Sequence, residues 1–288
     1  MEILWIIIIL LTGGLLSWFM AGQGQLFSRV ISLVSVAAGF LITLYLWISQ
    51  SSPLNLQGLE WIAEVNIEWI PRFGINLHLA IDGLSLILVM LTMFLGLISI
   101  IASWQEINER VGFFHFNLLW VLAGITGVFL AMDLFLFYFF WEVMLIPMYF
   151  IIGIWGHEDR KRAAYKFFLF TQAGGLLMFI SILALYFTNG DVTGVYTFDY
   201  LYFNETFLHS TAARWIMGGF LAAFLIKLPA VPFHNWLPDA HTQAPTAGSI
   251  ILAGLLLKTG AYGLYRFVIP VFPDASTLFA PAGLIIGV

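Results

Sequence analysis

Long apolar runs separated by short polar stretches dominate the chain. Runs of this kind fall at residues 3–20, 30–49, 83–103, 113–131, 134–155, 166–187, 215–233 and 248–270. Each is long enough, at 1.5 Å per residue, to cross or nearly cross a hydrocarbon layer of about 30 Å. The pattern predicts eight transmembrane helices. A ninth run begins near Leu278 and is still in progress at Val288, which suggests an incomplete reading frame or a longer protein cut short. The opening "MEILWIIIILLTGG" has Glu2 as its first charge and no clean small-x-small cleavage site, so it reads as a retained helix rather than a signal peptide. One segment follows a different rhythm. "LEWIAEVNIEWIPRFGINLHLAIDG", within the loop 51–82, alternates apolar and polar residues around a Pro-Arg-Phe-Gly break. That predicts a small β-hairpin, with an irregular loop as the alternative.

Composition agrees with the membrane assignment. The 288 residues are 61% hydrophobic and 9% charged, against about 25% charged in soluble domains. The net charge of −5 is spread over loops, without the basic tail that would suit nucleic acid. The absence of cysteine excludes disulfides and cysteine-held zinc or iron–sulfur clusters. No phosphate-binding glycine loop, dinucleotide fingerprint or H-E-x-x-H sequence occurs. Arg29, Arg110, Arg160, Lys161, Arg162 and Lys166 fall on one side of the predicted spans, and Arg72, Arg214 and Arg266 on the other. The excess puts the first set in the cytoplasm and the hairpin outside.

Three ionisable residues lie within spans: Glu142, Lys227 and Lys258. A lysine at mid-bilayer costs about 2.5–3.5 kcal/mol on insertion scales, and intramembrane charges mark ion pathways. Lys227 is roughly 18 Å along its helix from Trp215, too deep for easy snorkelling. The simplest arrangement pairs Glu142 with Lys227. Burial weakens a lysine's hold on its proton and a nearby carboxylate restores it, so movement of the acid would switch the site. Pro229 and Pro232 follow Lys227, and Pro147 follows Glu142. Each removes an amide and frees a carbonyl, and a broken helix beside a buried charge is how transporters build a mid-membrane site. The stretch "HNWLPDAHTQAPTAGS" carries His234, Asp239 and His241 on the predicted cytoplasmic side. These are candidates for proton uptake. The plainer reading is a re-entrant turn capped by Asp239 and Thr246. The spacing fits no familiar zinc pattern, and no metal site is assigned. Small residues around Lys258 (Ala253, Gly254, Gly260, Ala261, Gly263) permit close helix packing.

"WIPRFGINLHLAIDGLS", "FFWEVMLIPMYF", "KLPAVPFHNWLPDAHTQAPTAGS" and "LAGLLLKTGAYGLYRF" resemble the antiporter-like membrane subunits of NADH–quinone oxidoreductase, respiratory complex I. The stretch 69–86 is more similar to M-type subunits than to the related L and N types. Multisubunit sodium/proton antiporters share the block from Asp133 to Arg266 more loosely. The resemblance implies an all-α, fourteen-helix fold containing two inverted five-helix repeats, each with a discontinuous helix. On this pattern residues 1–110 would form three helices with the outer hairpin. Residues 111–270 would form the first repeat, and 271–288 the start of the second. It implies that Glu142, Lys227 and Lys258 carry protons, with Lys258 passing them toward the second repeat and the helix broken at Pro229 and Pro232. It further implies that NADH, FMN, iron–sulfur clusters and quinone are bound by other subunits. The partners would be L-like and N-like subunits in a bacterial inner membrane. A sodium/proton antiporter subunit and a structural scaffold of the membrane arm are the rival readings.

Overall fold

A computed structural model describes residues 1–49, 61–203 and 211–287; the first part of the predicted hairpin loop lies outside these. The elements, in chain order, are α1 (Glu2–Phe19), α2 (Gln25–Ser49), β1 (Ala63–Ile70), β2 (Ile75–Ile81), α3 (Gly83–Glu106), α4 (Val111–Leu130), α5 (Leu134–Trp155), α6 (Arg160–Thr193), α7 (Thr211–Lys227), α8 (Trp236–Gln243), α9 (Thr246–Val271) and α10 (Pro273–Gly287). Seven of them, α1 to α6 and α9, are long and apolar enough to cross a membrane.

Helix α4 is apolar on every side, and every residue from Val121 to Leu130 is buried. A helix without a polar face belongs in the middle of a bundle. Here α1, α2, α3 and α5 surround it. A Cβ on Gly124 would lie 2.7 Å from the Met144 backbone nitrogen, so α4 and α5 meet nearly backbone to backbone, as small residues permit in membrane bundles. Helix α6 has 34 residues, a rise of about 51 Å. Its basic first turns extend beyond an apolar layer of about 30 Å.

The hairpin forms as the alternation predicts. Strands β1 and β2 are antiparallel, with Val65 opposite Leu79 and Asn66 opposite His78, joined by a 3-10 turn at Pro71–Phe73 and by Gly74 at φ +64°. A Cβ on Gly74 would also collide with the Tyr196 carbonyl oxygen. Gly74→Ala is therefore expected to destabilise the protein by about 1–3 kcal/mol, combining left-handed strain with a backbone clash, read as a lower melting temperature in detergent. The hairpin is tied to the bundle end. Met132 N donates to His78 O, Phe198 N to Gly74 O and Asn76 N to Asp133 Oδ2. Asp133 caps α5 by accepting from Phe135 N and Leu136 N, and Asp82 caps α3 by accepting from Ser85 N.

The spans differ from expectation in three places. The predicted run 215–233 ends as a helix at Lys227, because Pro229 and Pro232 cannot supply the amides that would continue it. The expected re-entrant turn at 234–249 is instead a 3-10 turn, Phe233–Asn235, leading into α8. Asp239 lies inside α8 and is not a cap, and the N-cap of α9 is Pro245. The last run begins at Pro273 rather than near Leu278.

Candidate functional site

Helix α7 has 17 residues and so rises about 25 Å, short of the apolar layer. Its last residue, Lys227, consequently sits inside the bundle and is 1% exposed. Four carbonyls at a helix end lack intrahelical partners and carry partial negative charge. One of them, Ile226 O, accepts from Trp236 Nε1 at 2.8 Å. The ammonium of Lys227 lies 5.0 Å from the Trp141 ring centroid and 5.8 Å from that of Phe167, within reach of cation–π attraction. Among the described residues Nζ has no hydrogen-bond partner. Helix α9 closes over the break where Gly260 faces the Phe224 carbonyl and the Leu228 nitrogen. A Cβ there would lie 2.7 and 3.0 Å from them.

Glu142 is half-buried on α5, one residue from Trp141, and its Oε1 is buried with no partner. Tyr138 and Gln172 are the polar groups beside it. Gly175 on α6 makes room for the carboxylate, since a Cβ there would lie 2.6 Å from Oε1. The predicted contact pair does not form. Glu142 and Lys227 make no ion pair and act on each other through their charges alone. The ring of Trp141 faces Lys227, and its Nε1 is likewise buried and unpartnered among the described residues. Three unpartnered polar atoms, Glu142 Oε1, Trp141 Nε1 and Lys227 Nζ, therefore gather where α5, α6 and α7 pack together. Buried polar groups of this kind are ordinarily satisfied by water.

Lys258 departs further from expectation. It is exposed at the bundle surface, where it lines a groove of about 390 Å³ with Asp82, Leu88 and Tyr265, and its Nζ donates to Ala253 O at 2.7 Å. Helix α9 contains two π-helical turns, Leu252–Leu256 and Leu264–Val268. A π turn adds a residue per turn and leaves carbonyls free to accept outside bonds. The Ala253 oxygen, within the first of these turns, accepts from Lys258.

On the opposite side of the lysine site, the three proton-uptake candidates have different environments. His234 follows the break, and its Nδ1 is buried without a partner. Asp239 is held by Lys166 at 2.7 Å, and His241 is exposed. They do not converge as a metal-ligand set among the described residues. The Lys166–Asp239 pair puts α8 at the same end of the bundle as the basic loop 157–166. Sequence reasoning did not single out the polar cluster at the hairpin end, formed by His78, Asp133 and Asp199. The available signal was the interruption of apolar runs by "LHLAID" and "LAMDLF".

Residues 131–288 match the family described as NADH:quinone oxidoreductase/Mrp antiporter, transmembrane. The chain is 50% identical over 293 residues to NADH-quinone oxidoreductase subunit M of Pseudomonas aeruginosa, covering 99% of this chain and 58% of that protein. Against subunit M of Escherichia coli K12 the identity is 50% over 291 residues, covering 99% and 57%. Its fold matches a chain of respiratory complex I from Thermus thermophilus with bound NADH at a TM-score of 0.80 and 28% identity, covering 99% of this chain and 56% of that one. The chain thus spans a little over half the length of these relatives. The apolar helices and the bacterial relatives place it in the inner membrane as a multi-pass protein. A core helix bundle, a helix broken at a buried lysine and a family match over more than half of its residues lead to one assignment: the chain belongs to the NADH:quinone oxidoreductase/Mrp antiporter transmembrane family.

Proposed function

We propose that this chain forms the proton-loading part of an M-type subunit of NADH–quinone oxidoreductase, moving protons across the inner membrane while other subunits carry electrons from NADH to quinone. The observation that carries this reading is the fully buried Lys227 ammonium at the end of α7, without a hydrogen-bond partner among the described residues and within the field of Glu142. An unpaired charge there is expensive and serves no packing role that an apolar residue could not fill. His234 and the α8 end supply the proton, and Lys227 holds it at the break. The charge on Glu142 sets how firmly it is held. Lys258, on the outer surface of α9, hands it laterally to the remainder of the longer subunit. In this reading α4 to α9 are the first five-helix repeat, and the exposed α9 face meets the second. L-like and N-like subunits are the neighbours in the membrane arm.

Glu142→Ala in the assembled complex tests this. Protons pumped per electron are expected to fall about tenfold or more, the scale of removing a positioned proton-transfer group. Pumping at the normal ratio would reject the reading. Because the matched family includes Mrp antiporters, a sodium/proton antiporter subunit is the second reading. Complementation of a salt-sensitive strain would favour it, and co-purification with NADH-oxidising subunits would count against it.

A further inference from the structure

The hairpin end of the bundle buries a histidine between two acids. His78 is 1% exposed. Its Nδ1 lies 2.7 Å from Asp199 Oδ2 and its Nε2 lies 2.8 Å from Glu64 Oε1. Glu64 reaches the ring diagonally across the two-stranded sheet, from the position opposite Ala80. Asp199 comes from the connection between α6 and α7.

Proton counting identifies what this geometry needs. A neutral imidazole has one N–H and one lone pair, so it donates to only one carboxylate. The second nitrogen would face an acceptor with a lone pair of its own. Both bonds form only if the site holds an additional proton. Asp199 Oδ1 accepts from Leu201 N at 3.0 Å while Oδ2 faces the ring. Glu64 is half in water, with 44% of its side chain exposed, where a carboxylate is well solvated. An imidazolium satisfies every partner, donating from Nδ1 to Asp199 and from Nε2 to Glu64.

We propose that His78, clasped by Asp199 and Glu64, is a proton-binding site on the outer face, and that its proton fastens the hairpin to the α6–α7 connection. The surrounding charges favour it. Glu64 faces the ring from β1 and Asp199 from the α6–α7 connection. Fully buried Asp133, in the turn before α5, interacts with Asp199, and Tyr200 feels the charges of Asp199 and of the Arg266–Asp82 pair. Burial by itself draws the His78 proton affinity down. The hydrogen bonds and charges of Asp199 and Glu64 outweigh it and leave His78 above its ordinary value. Burial likewise raises Asp133 to about 6, although three backbone amides bond to it.

Because both groups bind protons more tightly in the folded state, their stabilisation is complete below their unfolded values and is lost as pH rises through the folded ones. Asp133 acts between about 4 and 6, and His78 acts from about 6.5 upward. The outer face therefore loosens in alkaline medium. The site stands on its own geometry and does not rest on the transport reading.

The test uses the whole chain in liposomes, labelled with ¹⁵N-histidine. One ring, assigned by its loss in His78→Gln, is expected to show two protonated nitrogens at pH 7. Glu64→Gln, a change at a half-exposed position, should weaken its proton affinity about tenfold. Hydrogen exchange corrected for intrinsic rates should show the Met132 and Phe198 amides opening roughly tenfold more often once the ring has lost its proton, the scale of one hydrogen bond to a charged group. A His78 ring already neutral at pH 6.5, an affinity unmoved by Glu64→Gln, or protection unchanged across the titration would each overturn the proposal.

Discussion

Lys227→Met is expected to abolish proton pumping in the assembled complex and, at the same time, to raise the melting temperature of the subunit. The two effects share one cause. The Lys227 ammonium is buried at the end of α7 without a hydrogen-bond partner, and the helix-end carbonyls and the Trp141 and Phe167 rings offset only part of its lost hydration. Methionine has nearly the same length and volume and no charge to desolvate. Replacing buried ionic groups with well-packed apolar ones often stabilises a protein by about 1–4 kcal/mol, which thermal denaturation in detergent would read as a shift of a few degrees. Proton flux measured per assembled complex should meanwhile fall to background. A scaffolding role for this lysine predicts the reverse: lower stability or poor assembly, with the flux per complex intact. Gain of stability with loss of function marks a residue retained for chemistry.

Gly260→Val should damage the same site from the other side. The added Cβ would meet the Phe224 carbonyl oxygen and the Leu228 nitrogen, which are main-chain atoms of the broken helix and cannot rotate away as a side chain can. Either α9 moves outward or the α7 end does, and overpacking of this kind costs about 1–3 kcal/mol. Lys227 shares the crowded point, its own Cβ being 3.3 Å from where the new Cβ would lie. The expected result is a lower melting temperature together with reduced pumping. Gly218→Ala is the control, because a Cβ on Gly218 meets nothing within 4 Å. It should leave both measurements nearly unchanged.

Bilayer thickness makes much of this fold legible in one dimension. An apolar layer of about 30 Å demands about twenty apolar residues per crossing. Helices α1 to α6 and α9 accordingly appear within a few residues of where hydropathy puts them, except that α6 continues at both ends through polar residues that hydropathy does not count. The hairpin was legible because a strand alternates faces with period two and Pro-Arg-Phe-Gly supplies a turn. The end of α7 was not, because "LPAVPF" continues the apolar run while its prolines withdraw the amides. Hydropathy measures transfer to lipid and is blind to the hydrogen-bond ladder.

The residue types of the candidate site followed from the same logic. Glu142 and Lys227 stand out because charge inside an apolar run is costly. Their relation did not follow. They share a field and no contact, with Trp141 facing Lys227, and this depends on how α5, α6 and α7 pack. Lys258 shows the limit more sharply. A regular helix of 3.6 residues per turn has a computable inner face, but α9 contains two π turns that interrupt this register, and Lys258 lies on a face that these residues leave open. The His78 cluster draws its members from positions 64, 78, 133 and 199, which no local pattern connects.

The sequence by itself determined the membrane class, the approximate course of its spans, the hairpin and the presence of charges within apolar runs, because each follows from composition or periodicity over a short window. Only the tertiary structure decided which charges meet, which stand apart and which face outward. Those outcomes depend on helix breaks, close backbone contacts and angular register among elements distant along the chain.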